Sequence, residues 1–172
     1  MLSKKMQDAI NDQINAEIAS GYIYLSMSAY FESQNLPGFA NLKFVHYQEE
    51  LTHAHKFFHY VHSRGGRVTL KKIETPTPTW KSPLEVAEHT LKHEQYVTSR
   101  INKLLELARE EKDYATESML QWYIDEQAEE EENAMKLVDT LKMAGSDKSA
   151  LLMLDKEFAN VKFVDETQPA GV

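Results

Sequence analysis

A long connection with no helical pattern lies near the middle of this chain, between two segments that each have the apolar periodicity of a long helix. The connection runs from Gly65 to Ser82, contains Pro76 and Pro78, and is 18 residues long. Extended at about 3.3 Å per residue, it spans roughly 59 Å. The helical segment before it, of about 28 residues, is roughly 42 Å long. The connection can therefore cross the full length of a helical bundle, which predicts that the helices on either side of it are parallel.

Apolar residues that recur every three or four positions predict four long helices and a short fifth one. Their predicted bounds are Ser3 (N-cap) to about Ser33, Pro37 to about Arg64, Ser82 (N-cap) to about residue 111, about residue 113 to Gly145, and a fifth helix capped by Ser146. Because short turns join the first two and the last two long helices, each of these pairs is predicted to be an antiparallel hairpin.

The sequence therefore predicts an all-α fold, a four-helix bundle with one long crossover between helices two and three plus a short C-terminal helix. We expect one domain over residues 1–172, with a helical core at about 3–163 and a disordered tail at about 165–172.

The overall charge narrows the range of partners. The chain has a formal net charge of −8, which disfavours nucleic acid and anionic membranes as partners and favours cations. It has no cysteine, so disulfides, thiolate zinc sites and iron–sulfur clusters are excluded. The start of the chain is polar and no stretch is apolar enough to span a membrane, so we expect a cytoplasmic protein.

Four glutamates interrupt the predicted inward faces of the long helices, at Glu17, Glu50, Glu94 and Glu130. Glu17 and Glu50 are nearly equidistant from the first turn, and Glu94 and Glu130 are equidistant from the second, so both pairs are predicted to lie level near the middle of the bundle. Burying a carboxylate costs several kcal/mol, against a net stability of only about 5 to 15 kcal/mol for a domain. Four unpaired core acids would therefore prevent folding.

A bound cation is the simplest way to neutralise these acids, because the predicted inward rows offer no lysine or arginine at that level. Two divalent ions would balance the four carboxylates. His53 lies one helical turn after Glu50 and faces the same side. Carboxylates with one imidazole suit iron, manganese or zinc, and spacing alone does not choose among them.

Across residues from about Ser3 to Phe163, the chain resembles the bacterial non-haem ferritins. The resemblance lies in Glu17 with Tyr24 on helix one, Gln48-Glu49-Glu50-Leu51-Thr52-His53 on helix two, His93-Glu94-Gln95 on helix three, and Leu120-Gln121-Trp122-Tyr123 and Glu126-Gln127-Ala128-Glu129-Glu130-Glu131 on helix four. Helix four has no histidine, so the sequence departs from bundles that carry a second Glu-x-x-His. Thr52 stands where bacterioferritins carry a methionine, so no haem is expected.

The resemblance implies iron storage with ferroxidase activity at a di-iron centre, with O₂ or H₂O₂ as oxidant. One iron would bind Glu17, Glu50 and His53, and the second would bind Glu94 and Glu130 beside Gln127, with Glu50 bridging the two. A third, weaker iron site would use Glu49, Glu126, Glu129 and Glu130. Tyr24 would be an electron donor. The family also implies a homo-oligomeric cage of 24 subunits, in which the fifth helix packs at fourfold axes.

Two other functions fit the same acids. A di-iron oxidase or peroxidase would act on an organic or peroxide substrate and store no iron, whereas a metal-buffering bundle would bind ions without oxidising them. Away from the acids, His55, His59 and His62 form one row, and His89 and His93 form a second pair. Both groups are expected to be exposed.

Overall fold

The structure, a computed structural model, describes residues 1–165 and 167. Within them the chain forms five helices: α1 (Lys4–Ser33), α2 (Pro37–Ser63), α3 (Pro83–Glu110), α4 (Tyr114–Ala144) and α5 (Lys148–Phe158). The prediction of a disordered tail concerns about residues 165–172, of which residue 166 and residues 168–172 lie outside the described part of the chain. No helix in that part is long and apolar enough to span a membrane.

The predicted helix starts are confirmed at α1 and α3 and are one residue early at α5. The Ser3 side chain accepts a hydrogen bond from the Met6 amide, and the Ser82 side chain accepts one from the Glu85 amide. The N-cap of α5 is Asp147 and not Ser146. The Asp147 carboxylate accepts hydrogen bonds from two backbone amides. Aspartate outcompetes the neighbouring serine here because its charged oxygen also interacts favourably with the positive end of the helix dipole.

The long connection runs beside α1 as a crossover. Its backbone pairs in order with side chains along that helix: the Thr69 amide donates to Asn11, the Lys71 amide to Asn15, and Ser26 donates to the Thr77 carbonyl. Since the crossover follows α1 from its beginning toward its end, and α1 is antiparallel to α2, it delivers the chain to the end of the bundle where α2 begins. α3 is therefore parallel to α2, as predicted.

The fifth helix docks against the start of α2. The buried carboxylate of Asp155 accepts hydrogen bonds from the Gly38 and Phe39 amides, at 2.8 and 3.0 Å. A Cβ atom at Gly38 would lie 1.6 Å from the Asp155 carbonyl oxygen, so only glycine allows this contact. Leu151, Leu154 and Phe158 pack against the core beside it.

Buried apolar side chains form two clusters in the bundle rather than one. The first lies toward the start of α1 and comprises Met6, Ile10, Ile14, Phe57, Val61, Val97, Ile101, Leu104, Ala108, Leu120 and Tyr123. The second lies toward the end of α1 and comprises Tyr24, Met27, Tyr30, Phe31, Leu36, Phe39, Ala40, Val86, Ala87, Val138 and Leu141. On every long helix the interrupting polar residue falls between the segments that supply these clusters.

Candidate metal centre

The gap between the two apolar clusters holds a compact group of metal-binding side chains from α1 and α2. Glu17, Glu50 and His53 are all buried, and one ligand atom from each lies within 4.8 Å of the others. Among the described residues this is the one cluster of three or more such side chains. The predicted pairing of Glu17 with Glu50 and His53 across the first hairpin is therefore what the structure has.

Two carboxylate oxygens in this group have no protein partner. Glu17 accepts a hydrogen bond from the Gln13 amide on its Oε1 atom, at 2.9 Å. Its Oε2 atom and the Oε2 atom of Glu50 are buried and receive no hydrogen bond from any described residue. His53 Nδ1 lies 3.7 Å from Glu50 Oε2, which is too far for a hydrogen bond. Buried carboxylate oxygens are costly unless something binds them, and a cation between them would do so.

α3 and α4 supply the other half of the centre. Glu94 is buried, and its two oxygens accept hydrogen bonds from the Tyr24 hydroxyl and from Gln127 Nε2, the latter at 3.2 Å. Glu130 is half-buried. Neither Glu94 nor Glu130 joins the close cluster of Glu17, Glu50 and His53. The structure thus brings all four glutamates to one level but gives the two halves different surroundings.

The protonation of the centre follows from its burial. Desolvation raises the pKa of Glu17, Glu50 and Glu94 above the ordinary carboxyl range. Desolvation together with repulsion from Glu94 raises the pKa of Glu130 to about 8. Burial alone would lower the pKa of His53, but the carboxylates around it outweigh burial and raise that pKa well above 6.5. Without metal, the centre therefore retains protons that a metal ion would displace.

Tyr24 belongs to the second apolar cluster and lies at the end of it that meets the centre. Its hydroxyl donates to Glu94, and burial together with the nearby carboxylates raises its pKa well above 10. The phenol is therefore protonated and remains a donor to Glu94. The rings of His46 and His93 pack edge-on against it, with centroids 5.3 and 5.9 Å away.

The outer acids line a crevice of about 600 Å³ between α2 and α4. Glu49, Glu126, Glu129 and Glu130 all contribute to its wall, as does His53. Glu129 is exposed, whereas Glu126 is mostly buried and has one oxygen 3.6 Å from His53 Nε2. All four residues named for the third site therefore face one space that adjoins the buried centre.

The expectation that no basic side chain accompanies the buried acids needs correction. Lys43, seven residues before Glu50 on α2, is only 1% exposed. Its Nζ atom donates to Thr90 at 2.9 Å and lies 5.1 Å from the centre of the Tyr24 ring. Burial lowers its pKa to about 8. Lys43 lies two helical turns before Glu50, a spacing that fits the inward face of α2, but the sequence does not single it out because its neighbour Leu42 fits an apolar row equally well.

Two predictions about the remaining histidines have opposite outcomes. His55, His59 and His62 are exposed, as predicted. His89 and His93 are half-buried, so the prediction of an exposed pair is wrong. His89 accepts a hydrogen bond from the Trp80 indole at 3.0 Å, and His93 Nε2 lies 2.8 Å from the Ser20 hydroxyl. The crossover covers His89, which a count of helical positions does not reveal.

Comparisons with known proteins agree with this geometry. Residues 7–144 match the ferritin-like domain model. The chain is 40% identical over 161 residues to a probable bacterial non-heme ferritin-like protein of Haemophilus influenzae, covering 94% of this chain and 98% of that one. It is 43% identical over 145 residues to a bacterial non-heme ferritin of Bacteroides fragilis, covering 84% and 91%. The crystal structure of an open pore ferritin from Archaeoglobus fulgidus superposes with a TM-score of 0.93 at 52% identity, covering 94% and 100%.

Proposed function

Since this chain belongs to the ferritin family, we propose that it stores iron, oxidising Fe²⁺ at the buried acid centre and holding Fe³⁺ as an oxyhydroxide mineral inside a cage of identical subunits. The observation that carries the proposal is the pair of unpartnered oxygens on Glu17 and Glu50, buried beside His53. They supply anionic ligands at the place where a cation lowers the energy of the fold.

We assign the ligands of the two ions by the resemblance to the bacterial non-haem ferritins. The first Fe²⁺ binds Glu17 Oε2, Glu50 and His53, and the second binds Glu94 and Glu130, with Gln127 beside it and Glu50 shared by both ions. The separate contacts of Glu94 with Tyr24 and Gln127 support a second position with its own neighbours. The four carboxylates balance the charge of two divalent ions, and their negative charge favours the ferric product.

The two iron ions are the substrate of the reaction. Each Fe²⁺ gives up one electron, and the two electrons together with two protons reduce O₂ to H₂O₂, or H₂O₂ to two water molecules. Metal binding displaces protons from His53 and Glu130, whose pKa values are raised without metal, and these protons become available close to the oxidant. We assign Tyr24, whose hydroxyl donates a hydrogen bond to Glu94, as a transient donor of one of these two electrons, which the second Fe²⁺ then returns to it.

The crevice between α2 and α4 is the route by which ions leave the centre. Glu49, Glu126, Glu129 and Glu130 line it, and they hold a third, weaker iron position. Weak binding is useful there, because an ion that must move on to a mineral cannot be held tightly. In keeping with the family, we place the protein in the cytoplasm as a 24-subunit cage, in which each chain is one domain and α5 packs at the fourfold axes.

Aerobic addition of Fe²⁺ to the metal-free protein tests this function. Many equivalents per chain are added, and size-exclusion chromatography then follows iron and protein together. We expect rapid oxidation and soluble iron that co-elutes with a large assembly, far beyond three ions per chain. Oxidation that stops at about two ions per chain on a small species would support a di-iron oxidase or peroxidase instead. Binding without oxygen-dependent oxidation would support a metal buffer.

Glu17→Ala is the matched variant in that experiment, and Glu132→Gln is its control. Glu17 is buried in the centre, whereas Glu132 lies on the surface of α4 and pairs with Lys136. We expect Glu17→Ala to abolish fast oxidation and Glu132→Gln to leave it unchanged. Equal rates in both variants would contradict the assignment of the centre.

A further inference from the structure

An arginine outside the centre reaches one of its ligands through a glutamine. Arg100 on α3 extends across to α1, where its Nε atom donates to Gln13 Oε1 at 2.9 Å. Its Nη2 atom donates to the Asp12 carbonyl at 2.9 Å, and its Nη1 atom donates to the Tyr96 hydroxyl at 3.1 Å. Three contacts therefore fix the guanidinium group, although one side of it faces solvent in a groove between α1 and α3.

The position of Arg100 determines which way the Gln13 amide points. A guanidinium group has only donors, so the Gln13 atom that faces it must be the oxygen. The amide nitrogen is then turned toward Glu17, and Gln13 Nε2 donates to Glu17 Oε1 at 2.9 Å. Gln13 is 1% exposed, so solvent does not compete for either end of the amide.

This arrangement leaves the two oxygens of Glu17 in different states. Oε1 is occupied by the Gln13 amide, whereas Oε2 is buried without a partner and lies beside Glu50 and His53. A carboxylate held in this way offers a metal ion one oxygen at a fixed position, and not both. Gln13 Nε2 is the one N–H group among the described residues that donates to this carboxylate.

We propose that Arg100 and Gln13 form a positioning relay that orients Glu17, so that Oε2 alone is presented to the first metal ion. Neither residue touches the ion. Gln13 acts on Glu17 directly, and Arg100 acts through the orientation of Gln13. The inference rests on the proposed function in one respect, that Glu17 is a ligand.

Binding of Co²⁺ to the metal-free assembly without oxygen tests the relay, because the ion reports affinity by titration and coordination by its visible absorption. Loss of outer-shell hydrogen bonds to a ligand typically weakens metal binding about 10- to 100-fold. We expect that loss for Gln13→Leu, together with a changed spectrum as Glu17 is freed to bind through both oxygens. Arg100→Leu should weaken binding less, by roughly 3- to 10-fold, since the amide can still rotate into place.

Two further variants separate the relay from general effects of charge and folding. Lys103→Leu removes the same charge from the same groove on α3, and in the described part of the chain Lys103 has no hydrogen bond to Gln13; we therefore expect Co²⁺ binding within about twofold of wild type. Arg100→Lys restores a donor and should recover most of the affinity. The double variant Gln13→Leu/Arg100→Leu should bind no more weakly than Gln13→Leu alone, because Arg100 acts only through Gln13.

The outcomes distinguish a failed relay from a failed site. If Arg100→Leu matches Lys103→Leu, or if the effects of the two single variants multiply in the double variant, the relay is wrong. If Glu17→Ala leaves Co²⁺ binding and its spectrum unchanged, Glu17 is not a ligand, and the metal centre assigned in the proposed function is wrong. Should Gln13→Leu fail to assemble, Arg100→Leu with its two controls still decides, because Arg100 is only partly buried.

Discussion

Glu130→Gln is expected to stabilise the metal-free protein near neutral pH while weakening its response to metal. Burial and repulsion from Glu94 raise the pKa of Glu130 to about 8 from its ordinary value of 4.5. The unfolded chain therefore releases this proton near pH 4.5, whereas the folded chain keeps it until about pH 8. Between these values the folded state binds more protons, so raising the pH destabilises it.

The magnitude follows from the width of that interval. Roughly pH 7.5 lies about three pH units above the pKa of 4.5 in the unfolded chain, and each unit lowers the free energy of unfolding of wild type by about 1.36 kcal/mol. The loss of stability therefore has a ceiling of about 4 kcal/mol. We expect the variant to gain about 2 to 4 kcal/mol of stability, because Glu94 can take up the proton in place of Glu130 and the crevice admits solvent. Glutamine carries no charge, so the variant avoids this cost.

Calorimetry of the metal-free assembly at roughly pH 5 and 7.5 measures the effect. A chain of this size gains about 2 to 4 °C per kcal/mol, so Glu130→Gln should melt roughly 5 to 15 °C higher than wild type at the upper pH and show little difference at the lower one. Zn²⁺ at about 100 times its dissociation constant should stabilise wild type by about 2.7 kcal/mol and the variant by less. Glu132→Gln is the exposed control. Equal melting temperatures at both pH values would refute the reasoning.

Three further outcomes are expected. Lys43→Met should stabilise the metal-free protein by about 2 kcal/mol at pH 7. Burial lowers the lysine pKa to about 8 from 10.5, and removal of this buried charge outweighs the loss of the hydrogen bond to Thr90. Thermal melts should show this gain vanishing above about pH 10.5. Asp155→Ala should lower the free energy of unfolding by about 2 kcal/mol, because two backbone amides of α2 lose their acceptor. It should also expose α5 to limited proteolysis, and an α5 that stays uncleaved would contradict this. Tyr24→Phe removes a hydrogen bond to Glu94, so it should weaken Co²⁺ binding, and at saturating Fe²⁺ it should also slow iron oxidation in stopped-flow absorbance; an unchanged rate at saturation would show that Tyr24 takes no part in the reaction.

Periodicity predicts the helices and the level of the acids because both depend on backbone geometry. A helix advances 1.5 Å per residue, so positions counted from a shared turn give heights that packing changes little. The cluster of Glu17, Glu50 and His53 was predictable for that reason. The long crossover was predictable as well, since its length compares directly with that of the helix beside it.

Side-chain partners were not predictable to the same degree, because they depend on contacts between helices that are distant in sequence. Nothing near Gln13 in the chain indicates that an arginine 87 residues away orients its amide. Lys43 and Leu42 are adjacent, and a wide apolar face can bury either of them. Only the packed α1, α2 and α3 together show that the lysine lies inside, between Thr90 and Tyr24.

Anomalous diffraction from a crystal soaked in Fe²⁺ without oxygen shows which side chains bind the ions. We expect two iron peaks in each subunit, one bound by Glu17, Glu50 and His53 and one bound by Glu94 and Glu130, with Glu50 shared. Glu17 should bind its ion through Oε2 while Oε1 stays with Gln13. Iron found only on the exposed acids, with none between Glu17 and Glu50, would show that the buried centre is not the iron site.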